Sequence, residues 1–66
     1  MDNKIQTNMS MNEWVLVSPD ITGADDWMKG KIIDIEDNPF NGIVITVEFP
    51  DGVILWEREK YFKKIS

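Results

Sequence analysis

The chain has 66 residues, with no cysteine and no histidine, and its formal net charge is −5 at pH 7. This length allows one domain at most, and the missing residue types exclude a disulfide and any thiolate or imidazole ligand for a metal. Hydrophobic residues make up 42% of the chain, which is too many for a disordered protein. No apolar run approaches the roughly 20 residues of a membrane-spanning helix, so the sequence predicts a soluble, cytoplasmic protein.

The charge is distributed unevenly. Residues 1–56 carry three lysines against ten acidic residues, a charge of −7, whereas residues 57–66 carry four basic residues against two glutamates, a charge of +2. Nucleic-acid affinity comes largely from lysine and arginine contacts to phosphates. The acidic body therefore disfavours nucleic-acid binding and leaves only the basic end for it.

In chain order, residues 1–12 are polar and without periodicity and are predicted to be a flexible tail, followed by a single small domain over residues 13–66. The first strand is predicted over 13–18, which is rich in β-branched and aromatic residues and stops at Pro19, because proline has no amide hydrogen for a ladder. Residues 19–30 contain two glycines and three aspartates and are predicted to form a long loop.

A second strand is predicted over 31–37, a turn over 38–42 and a third strand over 43–49. In the third strand apolar residues recur at every second position, which is the period of a sheet with one buried face. In the turn, an Asn-Pro pair opens the reversal and an Asn-Gly pair tolerates positive φ.

The pair Asp51-Gly52 is typical of a two-residue hairpin turn, because glycine adopts the positive φ of such turns at little cost. A two-residue loop places Phe49 opposite Ile54 and Val47 opposite Trp56, and directly opposed residues share a face. The sequence therefore predicts that Trp56 is buried with Phe49.

In the same register Val53 and Leu55 point away from the core. Contiguous apolar surface on a small monomer often marks a contact site, so one hypothesis for the protein is a structural domain that associates with itself.

Residues 57–61 are predicted to form a single helical turn and residues 61–65 a short last strand, because a longer helix of so few residues is marginal. About five short strands with tight turns predict an all-β fold, a small antiparallel barrel whose closure removes exposed strand edges.

The order VLV…MKGKIIDI…ITVEFPDG…YFKKI, over residues 13–65, resembles an SH3-like barrel of the KOW or Tudor kind. The resemblance implies a glycine at the start of the second strand, here Gly30, and an Asp-Gly turn after the third, here Asp51-Gly52. It also implies a short helical turn and a brief last strand, here within 58–65. KOW-type segments often carry another glycine where Trp27 stands, and they tend to be basic, whereas this body is acidic.

Catalysis is not predicted, because no histidine activates the serines and threonines and no glycine-rich loop cradles a phosphate. Asp25 and Asp26, with Asp20 nearby, lack the spacing of a calcium loop, and the carboxylates within 34–37 are interpreted as a solubilising outer face. The sequence therefore predicts no cofactor and no metal.

The aromatic residues outside the strands give the main functional prediction. Trp27 lies in the long loop, Phe40 at a turn tip and Tyr61 near the closing segment, and loop aromatics of small barrels bind peptides or modified side chains. With Asp25 and Asp26 close by, such rings favour a basic peptide or a basic protein surface. Trp27 has a second interpretation, as a lid over the core.

Two alternatives remain open beside self-association. A nucleic-acid-associated, KOW-like module would use Lys60, Lys63 and Lys64 together with Tyr61. The acidic body also allows a DNA mimic that binds a DNA-binding protein, and the chain is similar to small uncharacterised proteins of bacterial mobile elements.

Overall fold

A computed structural model describes residues 7–65, whose strands form one five-stranded antiparallel sheet. The all-β prediction is confirmed, including the single helical turn before the last strand. The elements are β1 (Trp14–Val17), α1 (Pro19–Thr22), β2 (Met28–Asn38), β3 (Gly42–Glu48), β4 (Ile54–Arg58), the 3₁₀ turn η1 (Glu59–Tyr61) and β5 (Phe62–Lys64). The strand order is β4-β3-β2-β1-β5, so β4 and β5 are the outer strands.

The core lies on one face of this sheet. Alternate residues of β1 and β3 point into it, which is the two-residue period predicted for the third strand. Full burial of each such side chain contributes about 1.5–3 kcal/mol, so this face provides most of the fold's stability. The fully buried side chains are Val15, Val17, Ile32, Ile45 and Val47, and Met9, Phe49 and Phe62 are nearly so.

The long strand β2 contains a bulge that allows two isoleucines three residues apart to face the core. Ile32 is opposite Val47 and Asp34 is opposite Thr46, so Ile33 is an extra residue in β2. Ile32 and Ile35 are three residues apart and would face opposite sides of a regular strand. Because a bulge inserts one residue without a partner, both isoleucines face the core and Asp34 faces away from it.

The β3–β4 hairpin differs from the prediction by one residue. Its loop contains three residues, 50–52, because the Phe49 amide donates to the Val53 carbonyl at 2.9 Å and the Gly52 amide to the Phe49 carbonyl at 2.8 Å. Pro50 occupies the second position of this β-turn, where its fixed φ is favoured, and Gly52 takes a φ of +92°. The prediction of a two-residue Asp51-Gly52 loop is therefore wrong.

The shifted register reverses the faces of β4. Leu55 is opposite Val47 and packs against the core, whereas Trp56 is opposite Thr46 and its side chain is 67% exposed. The predicted burial of Trp56 is wrong, as is the outward orientation of Leu55, while the predicted burial of Phe49 is confirmed. The large apolar side chains on the exposed face of β4 are Ile54 and Trp56.

The segment predicted as a long loop contains the short helix α1 and the start of β2. The Ser18 hydroxyl accepts a hydrogen bond from the Asp20 amide at 3.0 Å, Pro19 is the first helical residue, and Gly23 ends the helix in the left-handed conformation. A serine cap followed by proline, with glycine just past the end, is a known helix signature. The sequence contains this signal, and the prediction of a loop over the whole of 19–30 is wrong.

The segment before β1 packs against the sheet. Met9 is only 9% exposed and belongs to the core, and the Asn12 amide donates to the Ile32 carbonyl at 2.8 Å. Both residues lie within the stretch predicted to be a tail; its first six residues lie outside the part of the chain that the structure describes. The described end of that stretch therefore adds a side chain to the core.

Candidate interaction surface

Trp27, the central residue of the predicted site, contacts a lysine of its own chain. It precedes β2, is half-buried, and its ring centroid lies 4.2 Å from the Lys63 Nζ. A lysine at this distance from an indole makes a cation–π interaction. The contact joins Trp27, from the predicted peptide site, to Lys63, from the predicted nucleic-acid site. The face of the Trp27 ring is therefore already occupied by a cation of the same chain.

Phe40 is not brought near Trp27. It lies in the turn between β2 and β3, 92% exposed, whereas Trp27 is at the opposite end of β2. Ten steps along an extended strand cover about 33 Å. The Asn38 side chain fixes the Phe40 turn, because its Oδ1 accepts hydrogen bonds from the amides of Phe40 and Asn41 at 2.8 and 2.9 Å.

Tyr61 is half-buried and packs against the core, and its carbonyl accepts a hydrogen bond from the Ser18 amide at 2.9 Å. Its contacts are those of a structural residue. Asp25 and Asp26 are exposed beside Trp27, and Asp26 Oδ1 accepts from the Trp27 amide at 2.8 Å. The five residues predicted as a peptide site therefore do not form one surface.

The three lysines of the predicted nucleic-acid site all have partners within the chain. Lys60 Nζ lies 5.1 Å from the Tyr61 ring centroid, and Lys63 contacts Trp27 as described. Lys64 Nζ donates to Glu13 Oε2 at 2.7 Å. This bond, together with one from the Ser10 amide, lowers the pKa of the Glu13 carboxyl below its ordinary value of 4.5.

A different surface, on the side of the sheet away from the core, combines an exposed indole with carboxylates. Thr46 is opposite both Trp56 and Asp34, and Val44 is opposite both Arg58 and Glu36. Because directly opposed residues share a face, two rows of side chains cross β2, β3 and β4. We call this surface the Trp56 face, and it consists of Asp34, Glu36, Val44, Thr46, Trp56 and Arg58.

The Trp56 face borders a shallow groove of about 320 Å³, lined by Asn41, Val44, Trp56, Glu57 and Arg58. The groove runs between the exposed indole and the turn that carries Phe40. A concave surface with an aromatic wall is the usual form of a site that receives a side chain of a ligand.

The electrostatics of this surface favour a cation. Asp34 and Glu36 are exposed on the face and Glu57 lines the groove, whereas Arg58 is the single basic residue of that set. Arg58 Nε lies 3.8 Å from Glu57 Oε2, an ion pair that is largely solvated and therefore weak. The negative ring face of the indole adds to the same attraction.

Sequence reasoning missed this face because both alternate sets of β4 are apolar. Val53 and Leu55 form one set, Ile54 and Trp56 the other, so hydrophobicity cannot decide which is buried. The deciding signal was Pro50, which indicates a turn that starts one residue earlier.

Comparison of the chain with protein-family models, with curated proteins and with solved structures gave no match. Over residues 7–65, acidic side chains do not gather in groups of three suited to a metal ion. In the same part of the chain, neither helix has the length or the apolar character needed to cross a membrane.

Proposed function

We propose that the protein is a non-catalytic interaction module that binds a basic peptide, or a basic surface of another protein, through the Trp56 face. The observation that carries the proposal is the 67% exposure of the Trp56 indole on a sheet surface that also presents Asp34 and Glu36. Tryptophan is enriched among the residues that dominate binding energy in protein interfaces. An indole beside carboxylates fits a lysine or arginine side chain.

In the proposed complex, the aliphatic part of a partner lysine packs on Val44 and on the indole, and its ammonium group lies near the carboxylates. A cation–π contact of this kind contributes about 0.5–2 kcal/mol, depending on how far it is desolvated. The charge of −5 on the whole chain attracts basic partners over a longer range and raises the association rate.

The Trp56 face replaces the site predicted from the sequence, while the class of partner stays the same. Trp27 has Lys63 on its ring and Tyr61 packs in the structure, so neither is assigned to the ligand. Phe40 keeps a role, because its neighbour Asn41 lines the groove and its own ring is exposed.

The test compares two exposed tryptophans of the same sheet. Trp56 shares its row of side chains with Asp34, whereas Trp14 is directly opposite Lys31 and beside Lys29, so Trp14 is the matched control. We expect Trp56→Ala to weaken binding of an eight-residue peptide of alternating lysine and valine at least about tenfold, as measured by calorimetry. Trp14→Ala should bind like the unchanged protein.

Equal losses in the two variants would overturn the assignment to the Trp56 face. No binding of the peptide by the unchanged protein, at concentrations up to the millimolar range, would overturn the proposed function itself. A peptide of alternating glutamate and valine serves as the charge control and should not bind.

The other candidate functions have less support. The lysines of the nucleic-acid alternative have partners within the chain, and Leu55 of the self-association alternative packs against the core. An acidic DNA mimic has only the net charge in its favour. The proposal includes an SH3-like barrel as the fold, which the 3₁₀ turn before β5 supports. It also includes a reducing cytoplasm as the location, which the absence of cysteine supports.

A further inference from the structure

The outer side of β4 presents backbone groups that no other strand of residues 7–65 pairs with. In an antiparallel pair, residues alternate between those that exchange hydrogen bonds with the neighbour and those that point the other way. The bond from the Phe49 amide to the Val53 carbonyl fixes this alternation, so Leu55 and Glu57 bond toward β3. The amides and carbonyls of Ile54, Trp56 and Arg58 therefore point away from the sheet.

The Arg58 amide agrees with this assignment, because it donates to the side chain of Glu57 at 3.1 Å instead of to β3. In the part of the chain that the structure describes, no strand pairs with β4 on its outer side.

The two edges of the sheet are protected to different degrees. Natural proteins block strand edges with lysines, prolines or very short strands. The β5 edge has only three residues, two of which are Lys63 and Lys64. The β4 edge has five residues and begins Ile54-Leu55-Trp56, with neither lysine nor proline. The β4 edge is thus the less protected of the two.

We propose that the basic partner binds as an extended strand added antiparallel to the outer edge of β4, the direction of every other pair in the sheet, with its basic side chains on the Trp56 face. This inference rests on the proposed function and names how the partner is held. A residue paired with Trp56 through backbone hydrogen bonds shares its face, so a lysine there lies over the indole, with Asp34 two strands further along the same row. The alternate residues of the partner strand lie on the same side as Leu55 and are apolar.

Charge favours such a segment over a second copy of the chain. Two copies bring together two net charges of −5, and like charges across an interface oppose association. A lysine-bearing strand instead brings opposite charge to the carboxylates of the Trp56 face, and its backbone supplies the donors and acceptors that β4 lacks.

The experiment uses the same lysine–valine peptide with backbone N-methyl groups. Methylation of the lysine amides removes the hydrogen bonds to β4, because the residues on the Trp56 face are those whose amides point at the edge. We expect this peptide to bind at least about tenfold more weakly, while the peptide methylated at the valine amides binds like the unmodified one. Titrations followed by ¹⁵N–¹H shifts give both affinities and report the β4 amides directly.

Equal affinity of the two methylated peptides, whether unchanged or reduced, would overturn strand addition and leave the proposed function standing if the unmodified peptide binds. Stronger loss in the valine-methylated peptide would overturn antiparallel addition with the lysines on the Trp56 face. Absence of binding by the unmodified peptide would overturn both proposals. A stable dimer that the peptide dissociates, seen by light scattering, would overturn the choice of occupant.

A pair of protein variants gives independent evidence. Ile54→Pro removes an edge amide that β3 does not use, whereas Ile54→Ala keeps that amide and removes most of the side chain. We expect Ile54→Pro to bind the peptide about tenfold more weakly than Ile54→Ala, with both variants folded by their ¹⁵N–¹H spectra. Equal binding by the two folded variants would contradict the inference.

Discussion

At Gly30 the backbone of β2 passes directly over a side chain of β3. A Cβ atom added there would lie 3.1 Å from Val47 Cβ and 3.4 Å from the Phe49 ring. Val47 Cβ is attached to the backbone of a central strand and cannot swing away, so the position needs glycine for space. The family resemblance pointed to Gly30, but the contact that requires glycine is a tertiary one, and the sequence alone does not contain it.

We therefore predict that Gly30→Ala lowers the free energy of unfolding by about 1–3 kcal/mol, the usual cost of overpacking a core. Urea denaturation measures the change. Lys29→Ala, at the exposed neighbouring position, is the control and should stay within about 0.5 kcal/mol of the unchanged protein. A Gly30→Ala protein as stable as this control would contradict the tight packing.

At the scale of elements, the positions of the strands follow from hydrophobic alternation, whereas the register of β4 follows from a single residue, Pro50, and was predicted wrongly. Alternation and turn residues place each strand to within a few residues, because they depend on local chemistry. Which face of β4 is buried depends on one residue of loop length, and a one-residue slip exchanges the two faces. The same limit applies to β2, where the bulge at Ile33 breaks the pattern, and to the exposed Trp56 of the candidate site, which follows from the register.

The observed register predicts unequal costs for two truncations in β4. Leu55→Ala removes a side chain that packs against the core and should destabilise the protein by about 2 kcal/mol. Trp56→Ala removes an exposed side chain and should change stability by no more than about 0.5 kcal/mol. Chemical denaturation of both variants measures the difference, and the reverse order would indicate the two-residue loop.

For the whole molecule, composition indicates an acidic body with aromatic residues. Contacts between residues far apart in the sequence determine which charged side chains are already paired within the chain. Lys64 and Glu13 are 51 residues apart and join β5 to the segment before β1. No local pattern indicates this pair, nor the contact of Lys63 with Trp27, and together they engage basic residues that the sequence left available for nucleic acid.

The Glu13–Lys64 pair should make stability depend on pH. The folded pKa of Glu13 lies below its ordinary 4.5, so the contribution is present above pH 4.5 and is lost as the pH falls through the folded pKa. We expect Glu13→Gln to melt at a lower temperature than the unchanged protein at pH 7, with the gap narrowing as the pH falls below 4.5. Thermal scans of both proteins across this range remove the contribution of the other carboxyl groups by difference, and a gap that does not narrow below pH 4.5 would contradict the assignment.

The bulge at Ile33 also separates the basic residues of β2 from its acidic residues. Before it, the strand presents Lys29 and Lys31 to solvent, and after it Asp34 and Glu36. One strand thus carries a charge gradient along its length, a dipole lying across the sheet surface. A cationic segment approaching this surface would be attracted to the carboxylate half and repelled from the lysine half, so its position along β2 would be biased before the first contact forms.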